Sequence, residues 1–329
     1  MVKWWYSVLS AAGLVAGNVI NPRASSWTDP AFSVPTQTMA DALACPNGIL
    51  GKAGGVVLLV HGTASTGPET WDKSPYILLL PDMNPARSEV KDWQGLCHGA
   101  FSGSGTQYSL ALRGILCGQA LDFFPSTQSL VSGFVGISGD FHGSSLGGVA
   151  CFGLNVLEGH CSESIFQQAQ ESQYLRAQNI DGGSALVGTT SIFTAEDEII
   201  PPEPFDSTLT GAANILIQDP SVCGLLHVVD HLGAPYDSGY FGLVLDALQH
   251  GGVASPTRFN KAYCSGFLND TVEIDTQALG AILGETVADV ISILTVQSPY
   301  DSVVEPPLPE YVCQRYPTQE FECSSGPLQ

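Results

Sequence analysis

Apolar residues fall along this 329-residue chain in short runs separated by glycine and polar clusters, and those runs predict its elements. Val56 to Val60 is an unbroken apolar run between Gly54-Gly55 and Gly62, the pattern of a strand buried on both faces. Gly133 to Ser138, Ser191 to Thr194 and Leu225 to Val229 read as further strands, and residues 112 to 123 read as a helix running into Phe124-Pro125. Strands alternating with helices predict an α/β fold, with a mostly parallel central sheet covered by helices on both faces. The clearest helix runs from Asp275 to Leu294. There Leu279, Ile282, Leu283, Val287, Val290, Ile291 and Leu294 recur at three- and four-residue steps and form one apolar stripe. Such a stripe suits an ordinary packing helix, or a wall or lid over an apolar cleft. After Pro306 the chain turns Pro-rich and irregular. No internal repeat or low-complexity linker interrupts it, so one domain is expected over residues 25–329.

The first 24 residues read differently. Lys3 gives a positive start, Trp4 to Ala16 an apolar stretch, and Val15-Ala16-Gly17 or Ala24 a small-residue cleavage site, which together predict an export signal or pro-region. No later segment reaches about 18 uninterrupted apolar residues, so no spanning helix is expected.

Composition narrows the function. Hydrophobic residues make up 44% and charged residues 13%, which describes a globular chain. A formal charge of −21 with only 11 scattered Lys and Arg excludes nucleic acid as a partner, because phosphate backbones are held by clustered cations. Nine cysteines without a CxxC pair fit an oxidising compartment and argue against a zinc ribbon. Nine is odd, so one cysteine stays unpaired within the chain. Asn269-Asp270-Thr271 is a sequon, which also suits a secreted protein.

Seven histidines leave few candidates for chemistry. His227 and His231 stand four apart, a metal-gripping spacing on a helix, but Leu-Leu-His-Val-Val around them is β-like and no HExxH is present, so no metal is expected. His231 fits a catalytic base better: it follows an expected strand, sits beside Asp230 and opens a Gly-containing loop. Asp197, after the strand at Ser191 to Thr194, could orient an imidazole and stabilise its protonated form. His61-Gly62-Thr63, directly after the first apolar strand, would suit an oxyanion loop, with small residues admitting backbone N–H groups and a hydroxyl as a further donor.

These residues stand in longer blocks that resemble the Candida antarctica lipase B family of fungal secreted lipases. The blocks are Thr28-Asp29-Pro30-Ala31-Phe32-Ser33-Val34-Pro35, Leu58-Leu59-Val60-His61-Gly62-Thr63, Thr66-Gly67-Pro68, Phe123-Phe124-Pro125-Ser126, Ala195-Glu196-Asp197-Glu198-Ile199, and Cys223-Gly224-Leu225 through Val229-Asp230-His231. The resemblance covers residues 28–75 and 113–325. It implies an α/β-hydrolase fold stapled by disulfides, and hydrolysis of a lipid ester through an acyl-enzyme at an oil–water interface, by a monomer without a cofactor. It places Asp197 and His231 on the triad acid and base, Thr63 on the oxyanion threonine, and Asp140 and Gln168 on the acyl side of the pocket. It implies the pairs Cys45–Cys97, Cys151–Cys161, Cys223–Cys264 and Cys313–Cys323, with Cys117 left over.

The stretch from 76 to 112 departs from the family pattern. Counting back from Phe123-Phe124-Pro125 without gaps puts Ala111 in the serine slot, Leu112 in the second oxyanion position as a backbone donor, and Arg113 where a small residue belongs. A two-residue shift would make Ser109 the nucleophile. The string Gly143-Ser144-Ser145-Leu146-Gly147 matches GxSxG but aligns with a non-catalytic loop, and no apolar strand runs directly into it. A departure confined to one stretch, with good matches on both sides, is what a shifted reading frame or misjoined exons would leave. The alternative to an ester hydrolase is a catalytically dead relative that binds lipid or a partner through the old pocket.

Overall fold

The computed structural model describes residues 56–79, 95–99, 115–148, 161–265 and 301–324, apart from 63, 64, 66, 73, 181 and 303, together with 27–31, 35, 37, 41, 43 and 44. Residues 1–24, where an export signal is expected, and the apolar stripe of 275–294 lie outside the described residues.

Eight strands are present among these: β1 (Leu43–Ala44), β2 (Val56–Leu59), β3 (Gly95–Gly99), β4 (Phe134–Ile137), β5 (Cys161–Ser162), β6 (Thr189–Phe193), β7 (Ala213–Leu216) and β8 (Asp301–Ser302). They form two three-stranded ladders, β1-β3-β2 and β4-β6-β7, and a two-stranded pair, β5-β8. β2 runs parallel to β3, and β4, β6 and β7 are parallel to one another; β1 alone opposes its neighbour within the larger ladders. The fold is α/β with a mostly parallel sheet. β3 falls inside the stretch that departs from the family pattern, and its register on β2 is regular from Val56↔Gly95 to Leu59↔His98.

β6 is buried at every position although it reads Thr-Thr-Ser-Ile-Phe. Each hydroxyl finds a carbonyl, which is what burial of polar groups requires. Thr189 Oγ1 donates to Val187 O, Thr190 Oγ1 to Gly252 O, Ser191 Oγ to Ser207 O, and Thr194 Oγ1, just beyond the strand, to Val229 O at 2.6 Å. The central strand therefore holds its flanking loops by its side chains. One face of the β4-β6-β7 ladder packs Ile137, Ile192 and Ile215 against the helix Ser238–Gln249, whose residues 238 to 247 are all buried. That helix is largely apolar because it lies inside the molecule, and its buried Asp246 is paired with Arg258. The other face packs Phe134 against Phe141 and Leu121 of the helix Ile115–Phe123, so helices cover both sides.

The strand expected at Leu225–Val229 is not formed. Gly224 takes φ +87°, the His227 N–H closes a turn on the Gly224 carbonyl at 3.0 Å, and Leu225 and Leu226 stand 77% and 95% exposed. The apolar run is a surface loop anchored through buried Val229, so His231 follows a loop where a strand was expected. Conversely β7, Ala-Asn-Ile-Leu, was not among the expected strands. Cys223 is bonded to Cys264 and Cys313 to Cys323, so disulfides staple the 223–264 segment and the C-terminal turn. Cys97 lies in β3, Cys161 in β5 and Cys117 in the helix Ile115–Phe123, while Cys45 and Cys151 lie outside the described residues.

Candidate active site

The turn after β6 and the loop before Ala234 bring Asp197 and His231 together. His231 Nδ1 meets Asp197 Oδ2 at 2.8 Å, with the carboxylate fully buried and the imidazole 14% exposed. The second carboxylate oxygen of Asp197 accepts the N–H groups of Ile199 and Ile200 at 3.0 and 2.9 Å, which fixes its plane. The backbone N–H of His231 donates to Glu198 Oε2 at 3.0 Å, so one Asp-Glu pair grips both the ring and its main chain. Burial pushes the Asp197 carboxyl up. The hydrogen bond and charge of His231 and the two amides outweigh burial and hold the group below its ordinary range. A buried carboxylate kept ionised and bonded to Nδ1 fixes the imidazole tautomer and leaves Nε2 to take a proton.

Asp140 feels the charge of Asp197. It is buried, one oxygen accepts the Gly143 N–H at 2.6 Å, and burial raises it to about 7, with Asp197 and Glu203 adding to the rise. Glu203 and Asp206 were not singled out in the sequence, and they join the same field. Burial raises each to about 8, with Asp197 and Asp206 acting on Glu203, and Asp140 and Asp197 on Asp206. Asp206 is fully buried, and neither of its carboxyl oxygens is hydrogen-bonded among the described residues. The two acids stand in Pro-Pro-Glu-Pro-Phe-Asp, a proline-rich loop that carries no sequence mark of burial. Gln168 is buried at the end of the helix Glu163–Gln168, where its side-chain amide turns back to Ser164 O. His61 is buried, and its Nδ1 lies 2.8 Å from the Gly62 carbonyl. Thr63, Ser109, Ala111, Leu112 and Asn269 lie outside the described residues.

His227 and His231 do not form a chelating pair: each meets its own carboxylate, His227 Nε2 facing Asp237 Oδ2 at 2.9 Å. The GxSxG string has a structural use. Ser144 Oγ donates to Ile199 O at 2.8 Å and accepts from Leu146 N, so its hydroxyl ties this loop to the turn that carries Asp197. Gly143 has φ +98°, and a Cβ there would stand 2.7 Å from the Gln170 Cα, so the glycine serves backbone approach.

A mostly parallel sheet between helices, with a buried carboxylate bonded to an imidazole beyond the strand ends, defines a protein of α/β-hydrolase type. The chain is a relative of the lipase B family. It is 29% identical over 246 residues to lipase B of Pseudozyma antarctica, covering 68% of this chain and 70% of that protein. The crystal structure of Aspergillus fumigatus lipase B has the same fold, with a TM-score of 0.67 at 24% identity, covering 90% of this chain and 76% of that one. No family model matches the chain. Among the described residues no helix is long and apolar enough to cross a membrane.

Proposed function

We propose that the chain is a secreted serine-type ester hydrolase acting on lipid esters through an acyl-enzyme. The observation that carries this is the 2.8 Å contact between His231 Nδ1 and the fully buried Asp197 carboxylate. In this reading Ser109 Oγ attacks the acyl carbonyl while its proton passes to His231 Nε2. The imidazolium, held by Asp197, then gives that proton to the leaving alcohol, and water repeats the sequence to free the acid. Thr63 and the Leu112 N–H hold the tetrahedral oxyanion, and Asp140 and Gln168 line the acyl side. No step needs a cofactor. The mature protein is a single-domain monomer beginning near residue 25; two disulfides support passage through an oxidising compartment.

One observation favours a second reading. The ungapped serine slot holds Ala111, which fits a dead relative that keeps the pocket for lipid or a partner. Fluorophosphonate labelling with peptide mapping separates the two. Label on Ser109, abolished in His231→Ala, is the expected result. A folded protein that takes no label overturns the hydrolase reading, and fatty-acid binding by that protein would then support the second. Transcript sequence across residues 80–115 shows whether the departure is native.

A further inference from the structure

The loop that presents His231 is closed at its neck by a second imidazole–carboxylate pair. His227 and Asp237 stand ten residues apart in sequence, and His231 lies between them near the middle. Eleven residues with joined ends make a small Ω-shaped loop, and the bond across its neck governs how far the ends can splay. Further along, Thr194 Oγ1 holds the Val229 carbonyl and Asp197 and Glu198 hold His231, so the chain between the neck and these anchors is the part the His227 bond must secure. Leu225, Leu226 and Val228 point to solvent, and Val229 is the only buried side chain between Gly224 and His231.

The pair is built into rigid parts. Asp237 caps the buried helix Ser238–Gln249, its Oδ1 accepting the Tyr240 N–H at 3.0 Å while Oδ2 takes His227. The His227 ring also bonds the backbone carbonyl of Cys264, the residue whose sulfur is joined to Cys223 four positions earlier. The imidazole thus lies between two acceptors, a carboxylate and a carbonyl. Neutral imidazole has one N–H and would turn a lone pair toward one of them, whereas imidazolium donates to both. Other ionisable groups lie on the surrounding elements: Asp219, Asp230 and His231 beside it in the chain, and Lys261 and Tyr263 on the turn Lys261–Ser265. Among the described residues, Asp237 is the one that contacts the ring.

We propose that His227 is a positioning residue for His231: as imidazolium it clamps the neck of the 227–237 loop to the helix cap and to Cys264, and deprotonation loosens that loop. The Asp237 bond, opposed by burial and aided by the Asp237 charge and the Cys264 carbonyl, raises His227 above its ordinary 6.5. The sign follows: the clamp is complete below pH 6.5 and is lost as pH rises through the raised value. The proposal rests on the hydrolase reading only for its effect on turnover.

The test is amide hydrogen exchange of the full-length protein between pH 5.5 and 8.5, corrected for the intrinsic rate, read on peptides covering 228–232. In the wild type, protection there should fall about tenfold above pH 6.5, while β6 stays constant. His227→Gln and Asp237→Asn should show the lower protection at every pH, without the step. In ester turnover both should lower kcat more than KM and flatten the alkaline side of the pH profile. Asn can still cap the helix, so Asp237→Asn serves if His227→Gln fails to fold, and the wild-type step needs no variant. A wild-type loop whose protection ignores pH, or variants that match the wild type, overturns the clamp. A loop that responds as expected in a protein that leaves esters intact upholds the clamp and overturns the hydrolase reading.

Discussion

Asp197 does two jobs with its two oxygens, and that division makes one substitution informative. Oδ1 accepts the Ile199 and Ile200 amides, while Oδ2 faces the ring of His231. Asparagine can keep the first job with its carbonyl, but its NH₂ would then face His231 Nδ1 and force the ring proton onto Nε2. The base would be present in the wrong tautomer. Asp197→Asn should therefore lower kcat toward a short-chain ester by about 10⁴-fold with the turn intact. Steady-state kinetics with a p-nitrophenyl ester, beside a thermal melt that barely moves, checks this. A drop in kcat with an equally large loss of stability would mean the carboxylate mainly holds the fold. The pairing of Asp197 with His231 was visible in the sequence, because both sit in distinctive blocks and one is a carboxylate and the other an imidazole. Glu203 and Asp206 were not, because burial of an acid in a proline-rich loop is decided by distant chain packing over it.

At the scale of elements, the sequence was most readable where an apolar run is bounded by glycine and polar residues, although Leu58 of β2 stands 51% exposed where the run implied burial on both faces. Val56–Val60 and Gly133–Ser138 contain β2 and β4. It misled where tertiary contacts override pattern. Leu225–Val229 has strand composition, but Gly224 and the His227 anchors bend it into an exposed loop. β7 is the reverse case: Asn214 interrupts its apolar pattern, and its amide is spent on closing the Leu209 turn through Leu209 N and O. The first two residues of β6, Thr189 and Thr190, were missed for a related reason, since these threonines look exposed until the carbonyls that satisfy them are known. That strand also meets a backbone junction open only to glycine. Gly252, at φ +89° after the helix Ser238–Gln249, lies so close to Gly188 that a Cβ would stand 2.1 Å from the Gly188 carbonyl oxygen. The same Gly252 carbonyl accepts Thr190. Gly252→Ala combines a clash with a left-handed backbone, and should cost about 2–4 kcal/mol. Denaturant unfolding measures it, and a loss under about 1 kcal/mol would show that the junction can relax.

The whole molecule carries a net charge of −21, and its buried acids decide how stability depends on pH. Asp140, Glu203 and Asp206 are held protonated by burial and by one another, at about 7, 8 and 8. Their ordinary values are 3.8, 4.5 and 3.8, so the unfolded chain releases these protons some three to four pH units earlier. The stability they confer is complete near pH 4 and is lost as pH rises through 7 and 8. His227 adds in the same direction above pH 6.5. Two groups oppose. Asp197 is lowered, so its contribution stands above pH 3.8 and disappears in stronger acid; His142, lowered by burial, loses its contribution as pH falls through 6.5. One partly buried histidine does not balance three coupled carboxyls, so the maximum should lie on the acid side, at about pH 4 to 5. Melting at pH 5.5 should exceed that at pH 8.5 by several degrees, at about 2–4 °C for each kcal/mol in a chain of this size. Asp206→Asn gives the sharpest check. Asparagine replaces a neutral acid at pH 5.5 and a buried anion at pH 8.5, so the variant should melt close to the wild type in acid and above it in base. A variant that melts lower than the wild type by the same amount at both pH values would mean that Asp206 does not titrate in this range, and that the acid-side maximum has another source.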